Sequence, residues 1–112
     1  MNKDKEKYRT LASGVFPGGR DEQLVIRDLL PADLGALQAA IEPFRMMFPQ
    51  IEWGEWVVDI VEGCNSVAGL CYEERTLLVE REGFESATLL ELELHRVMLQ
   101  LVLRELDCEL TK

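Results

Sequence analysis

Glu91 and His95 are the two residues whose types and spacing most readily suggest chemistry. They sit four apart in the run Thr88-Leu89-Leu90-Glu91-Leu92-Glu93-Leu94-His95. On a helix, positions four apart share one face. A carboxylate and an imidazole on a buried face must pair with each other or bind something, because burying either charge alone is costly. An ion pair meets that need, and so does a metal ion such as zinc with Glu91 and His95 among its ligands. His95 is the only histidine in the sequence, so further ligands would be acids or cysteines. Cys64, Cys71 and Cys108 follow no zinc-site spacing. A Cys71–His95 nucleophile pair lacks neighbours that would activate a thiolate. An odd cysteine count without a C-x-x-C pair fits a reducing cytosol rather than a disulfide framework. The glycines build no phosphate loop, and Ser13 and Ser66 lie in no nucleophile elbow. These patterns nominate no catalytic residue and no bound cofactor, with zinc at Glu91 and His95 as the alternative.

These residues are positioned by a long C-terminal helix. Ser86 is the natural N-cap, and helical spacing predicts a helix over residues 87–107. On a wheel at about 100° per residue, Glu93, Arg96, Gln100, Arg104 and Asp107 form a polar stripe. Leu90, Leu94, Val97 and Leu101 form one apolar face, Leu92, Leu99, Leu103 and Leu106 a second, and Met98 and Val102 join them. So wide an arc is expected of a central core helix. It would be covered by strands and a first helix, or partly by a second subunit, which makes a homodimer one of the arrangements open to it. Glu91 and His95 fall inside the arc expected to be buried. Glu105, near the helix end, is expected to reach solvent.

Upstream, the reading is α+β: an N-terminal helix, a small sheet of about three strands, then the long core helix. Residues 1–22 are expected to be a mobile tail and loop, punctuated by Pro17-Gly18-Gly19. Residues 23–112 form the single domain. Leu24-Val25-Ile26 reads as a short strand or a lead-in. Pro31 suits the first turn of helix one, with Leu34, Leu37, Ala40 and Ile41 as its apolar face. Pro43 should end or kink that helix at about Glu42. Residues 56–61, 67–72 and 76–80 are β-branched and aromatic enough to be strands, separated by a turn at residues 63–66 and a polar break at 73–75.

The order of strand, Ala68-Gly69 turn, strand and a helix opening with Thr88-Leu89 resembles the core of small zincin-type metallopeptidases. These include SprT-like and ImmA/IrrE-like domains and phage metallopeptidases. The matching pieces are residues 56–61, Ala68-Gly69, residues 76–79 and Thr88-Leu89, under half the chain. In those families Thr-Leu leads into H-E-x-x-H, whose histidines bind zinc and whose glutamate activates water. Here His95 matches the second histidine, Glu91 stands in place of the first, and Leu92 stands where the catalytic glutamate belongs. Leucine neither takes nor gives a proton. The resemblance therefore implies a degenerate zincin-like domain without its usual general base.

Charge narrows the partners. The chain carries a net −9. Residues 52–93 hold eleven acids against Arg75 and Arg81, while residues 1–9 are Lys-rich. Such a field repels phosphate backbones and argues against direct nucleic-acid binding. No apolar run is long enough to suggest a membrane span, and residues 1–9 lack a signal-peptide core, so a cytoplasmic location is expected. The field would attract a protein partner with a basic surface. Candidate contact residues are Glu73, Glu74, Glu80, Glu82 and Glu85, with Phe44, Met46 and Met47 as an apolar patch. The expected function is a non-catalytic acidic protein-binding module of phage or mobile-element type. The alternatives are an acidic inhibitor that occupies a nucleic-acid-binding surface, in the manner of some anti-CRISPR proteins, and a metal-dependent hydrolase with variant ligands.

Overall fold

In a computed structural model of the chain, residues 8–19 and 22–110 are described. In strand β2 (Val57–Glu62), Val58 and Ile60 point into the core and Asp59 points away, while Val61 is also buried. Strand β4 (Thr76–Glu80) runs parallel beside it, with Val58 opposite Leu77 and Ile60 opposite Val79. This register puts four branched side chains on one face, the usual result of a two-residue period. Strand β3 (Ala68–Cys71) closes one edge, antiparallel to β4. Strand β1 (Arg9–Val15) closes the other edge, antiparallel to β2, so the order is β1-β2-β4-β3.

The sheet thus has four strands where about three were expected. The additional strand lies in the segment read as tail and loop. Residues 9–15 are largely exposed and carry no clean alternation, because β1 is an edge strand with a bulge between Thr10 and Ala12. Ser13 Oγ donates to Asp59 at 2.5 Å and Arg9 pairs with Glu62 at 2.7 Å, tying it to β2. Gly14 is required there: a Cβ would lie 2.6 Å from Val25 O and Ile26 Cγ1. Residues 24–26 are accordingly a lead-in that braces β1, with Leu24 and Ile26 buried, rather than a strand. Residues 1–7 of the expected tail lie outside the described residues.

Helix α1 (Pro31–Met47) begins at the expected proline, and Leu34 N–H donates to Leu30 O at 2.9 Å. It does not end at Glu42. Pro43 deprives the Ala39 carbonyl of its helical donor, but both residues are exposed and water can serve that carbonyl. The last turn is held by Arg45, whose buried guanidinium bonds Glu42 and Gly19 O. Helix α2 (Ala87–Leu110) starts where expected, with Leu90 N–H donating to Ser86 O at 2.9 Å. Leu37, Ala40 and Ile41 of α1 and Leu90, Leu94, Val97, Met98, Leu101 and Val102 of α2 join the inward face of the sheet in one core. Among the described residues, no helix is long and apolar enough to cross a membrane.

The core of α2 is narrower than its apolar arc. Leu94 and Leu101 are fully buried, whereas Leu92 is 63% and Leu103 58% exposed. Truncating Leu94 or Leu101 to alanine should therefore cost about 2–5 kcal/mol of stability. Truncating Leu99, which is half-exposed, should stay within about 0.5–1 kcal/mol. Urea denaturation of the three variants checks the contrast.

Candidate functional site

The helix does not bury Glu91 and His95. Their side chains are 64% and 43% exposed, and His95 Nε2 lies 3.9 Å from Glu91 Oε1. The expectation of a buried pair is corrected by the roll of α2. Its core-facing arc is centred on Leu94, Leu101 and Met98, which leaves residues 91 and 95 on the flank. There His95 meets the ring of Phe44 edge-on, with centroids 5.7 Å apart. Its neighbour is therefore α1, whereas Cys71 ends β3. Among the described residues, no group of three histidine, cysteine or acidic side chains stands close enough to hold a metal ion. Glu91 and His95 make a solvated pair, so no buried charge there calls for a metal. Cys64 and Cys71 are half-buried cysteines, and the Cys108 side chain lies outside the described residues.

Glu105 does the opposite of what its position suggested. Its side chain is 14% exposed and accepts three hydrogen bonds. Tyr72 Oη donates at 2.6 Å, Arg75 Nη1 at 2.9 Å and Trp56 Nε1 at 3.2 Å. Burial by itself would raise the Glu105 pKa. The bonds from Tyr72, Arg75 and Trp56, with the Arg75 charge, outweigh that and hold it below the usual carboxylate range. The guanidinium of Arg75 also lies 5.6 Å from the Trp56 ring centre, and Arg104 lies 4.5 Å from that of Tyr72. Arg75 takes a left-handed backbone (φ 50°) that a non-glycine residue adopts at a cost of about 1 kcal/mol or more. Held by three donors from fixed positions, Glu105 serves as an anchor.

The expected partner-binding acids divide into groups. Glu73 and Glu74 are exposed in the β3–β4 turn, and Glu82 and Glu85 are exposed past the other end of β4. Strand rise puts about 16 Å between those ends. Glu80 is not available: it is buried and accepts the Cys64 N–H at 2.8 Å. Of the apolar patch, Met46 and Met47 are exposed, but Phe44 is half-buried against the core and His95.

An ordered apolar row on the surface lies elsewhere, on the outer side of α2. Leu89, Leu92, Leu99 and Leu103 are all roughly half-exposed or more and fall at helical spacing on one face. Arg96 interrupts the row, held by Glu93 at 2.8 Å and by Ala68 O. The sequence reading set Leu92, Leu99 and Leu103 on a second apolar face of a core helix, to be covered by the rest of the fold or partly by a second subunit, and did not assign Leu89 to it. The available signal was the width of the arc: one small sheet and one other helix cannot cover two faces of α2. Comparisons with protein-family models, curated proteins and solved structures found no match.

Two outcomes follow. The carboxylate of Glu105 is held below its unfolded value of 4.5, so its contribution is present above that value and is lost as pH falls through the lower folded value. Stability measured by urea from pH 7 downward should drop below pH 4.5, and Glu105→Gln should flatten that drop. Glu105→Ala should cost about 2–4 kcal/mol at neutral pH, because Trp56 Nε1 and Tyr72 Oη lose their acceptor. His95→Ala should change stability by no more than about 0.5 kcal/mol. Elemental analysis of the purified protein should find no stoichiometric zinc; one zinc per chain, lost in His95→Ala, would restore the metal site.

Proposed function

We propose that this chain is a non-catalytic protein-binding module that contacts its partner through the outer face of α2. The observation that carries the reading is the row of exposed leucines. Leu92 and Leu103 each leave more than half their surface in water, on a helix whose opposite side is fully packed. Ordered apolar rows rimmed by charge mark interaction surfaces more than isolated leucines do. The partner's chemistry follows from charge. At a net −9, this chain favours an apolar patch ringed by lysine and arginine, with encounter accelerated at low salt. A cytoplasmic setting and a phage or mobile-element origin belong to the same reading, as does a degenerate zincin-like ancestry for the β2–α2 core.

The other readings find less support. A variant-ligand hydrolase would need Glu91 and His95 to converge with further ligands, and both are solvated on a flank of α2. A nucleic-acid-mimicking inhibitor would need its carboxylates in one row, and Glu73 and Glu74 are separated from Glu82 and Glu85 by the length of β4.

The test uses the full chain and a Leu92→Ser/Leu103→Ser variant, both checked for an unchanged thermal transition. A basic protein captured by the wild type at low salt, released by raised salt and missed by the variant is the expected result. Equal capture by the variant, or none by either, would overturn the reading. Sedimentation of the wild type as a dimer that the variant abolishes would replace the foreign partner with a second copy.

A further inference from the structure

The two edges of the sheet are treated differently by the rest of the fold. At the β3 edge, Ala68 is buried and its carbonyl accepts from Arg96 Nη2 at 3.4 Å. At the β1 edge the backbone is open. Phe16 N–H donates to Trp56 O at 2.9 Å, and two and four residues back Gly14 and Ala12 stand opposite Val58 and Ile60. Antiparallel ladders alternate, so these three residues turn their backbone groups toward β2, while the N–H and C=O of Ser13 and Val15 point away from it. Among the described residues, no strand and no backbone group pairs with them on that side.

The side chains along this edge are apolar or small, and exposed. Val15 is 58% and Leu11 37% exposed, and Ser13 between them is exposed too. Val25 passes against Gly14, with its own side chain 68% exposed. Folded proteins usually blunt such an edge with charge, a bulge or a cover. Here those devices sit only at the start of β1, where Arg9 is charged and a bulge interrupts the register between Thr10 and Ala12. From Ala12 to Val15 the pairing with β2 is regular and the outer side is bare.

Charge selects the occupant. Residues 8–19 contain no acid and one base, Arg9, in a chain of net −9. A basic partner would be drawn to the acids elsewhere on this surface rather than to a neutral edge. A second copy of the chain can approach along this strip without setting acid against acid. The strand is also complementary to itself. With a two-fold axis beside Ser13, Ser13 faces Ser13 of the partner subunit and Val15 faces Leu11 of the partner subunit, once on each side of the axis. This is the isologous arrangement of two-fold dimers, and it makes cross-strand apolar pairs.

We propose that two copies of this chain join through β1, which pairs antiparallel with the same strand of the second copy so that the two four-stranded sheets become continuous. The backbone groups of Ser13 and Val15 supply the hydrogen bonds, and Leu11 and Val15 the apolar contact. The site is separate from the leucine row of α2 and does not depend on it.

Sedimentation velocity of the full chain over about a hundredfold range of concentration tests this, with amide hydrogen exchange of Ser13 and Val15 followed by NMR. Self-association should appear as concentration rises, and exchange of both amides should slow with it. Because two chains of net −9 repel each other, raising salt from about 0.05 to 0.5 M should tighten the dimer several-fold. Val15→Lys puts a charge on the edge, and Val15→Pro removes an N–H that β2 does not use. Each should weaken the dimer about tenfold or more with an unchanged thermal transition. Leu92→Ser/Leu103→Ser should leave it intact. A monomer at every concentration would overturn the proposal. So would a dimer that persists in both Val15 variants, or one lost in the leucine variant, which would place the contact on α2.

Discussion

The carboxylate of Glu105 accepts hydrogen bonds from Trp56, Tyr72 and Arg75, groups that come from the entry to β2 and from the β3–β4 turn. The contact is the polar end of an otherwise apolar interface. Along most of its length α2 meets the sheet through interchangeable aliphatic packing, which restricts roll and register only loosely. Hydrogen bonds have direction, and three of them converging on one carboxylate from fixed positions do not tolerate a rotated helix. The left-handed backbone at Arg75 is consistent with this. It is a local cost borne where a side chain must reach a particular place.

Fixing the roll of α2 decides which of its two leucine faces is core. With Glu105 turned toward Trp56, the arc through Leu94, Met98 and Leu101 is driven inward, and Leu92, Leu99 and Leu103 are left facing water. The position of His95 follows from the same rotation: it comes to the flank against Phe44 rather than into the core. Thus the feature that best supports a binding function and the exposure of Glu91 and His95 have a common geometric origin.

Most of the elements could be read from residue types. Pro31 and Ser86 mark both helix starts, and the β-branched runs at residues 57–61 and 76–79 mark the two central strands, because local signals are strong where capping and periodicity coincide. Edge strand β1 was not legible, since its residues are exposed and its stability comes from pairing with β2. The continuation of α1 past Pro43 was hidden for a similar reason: tertiary bonds of Arg45 compensate a local break. At the level of sites, the acids and apolar residues were visible as types, but their convergence was not. Glu80 and Glu105 look like neighbouring surface acids until the sheet supplies donors to each. Arg45 carries no sequence signal beyond a glutamate three residues earlier.

The account turns on Glu105 as an ionised anchor held by three donors. Its most direct test is a ¹³C NMR titration of the Glu105 side-chain carboxyl in the folded protein. The structure requires a midpoint below the ordinary glutamate value of 4.5, together with a Tyr72 hydroxyl signal protected from solvent. A midpoint at or above that value would mean that Trp56, Tyr72 and Arg75 do not converge on this carboxylate, and that neither the roll of α2 nor the outward leucine face is set in the way described.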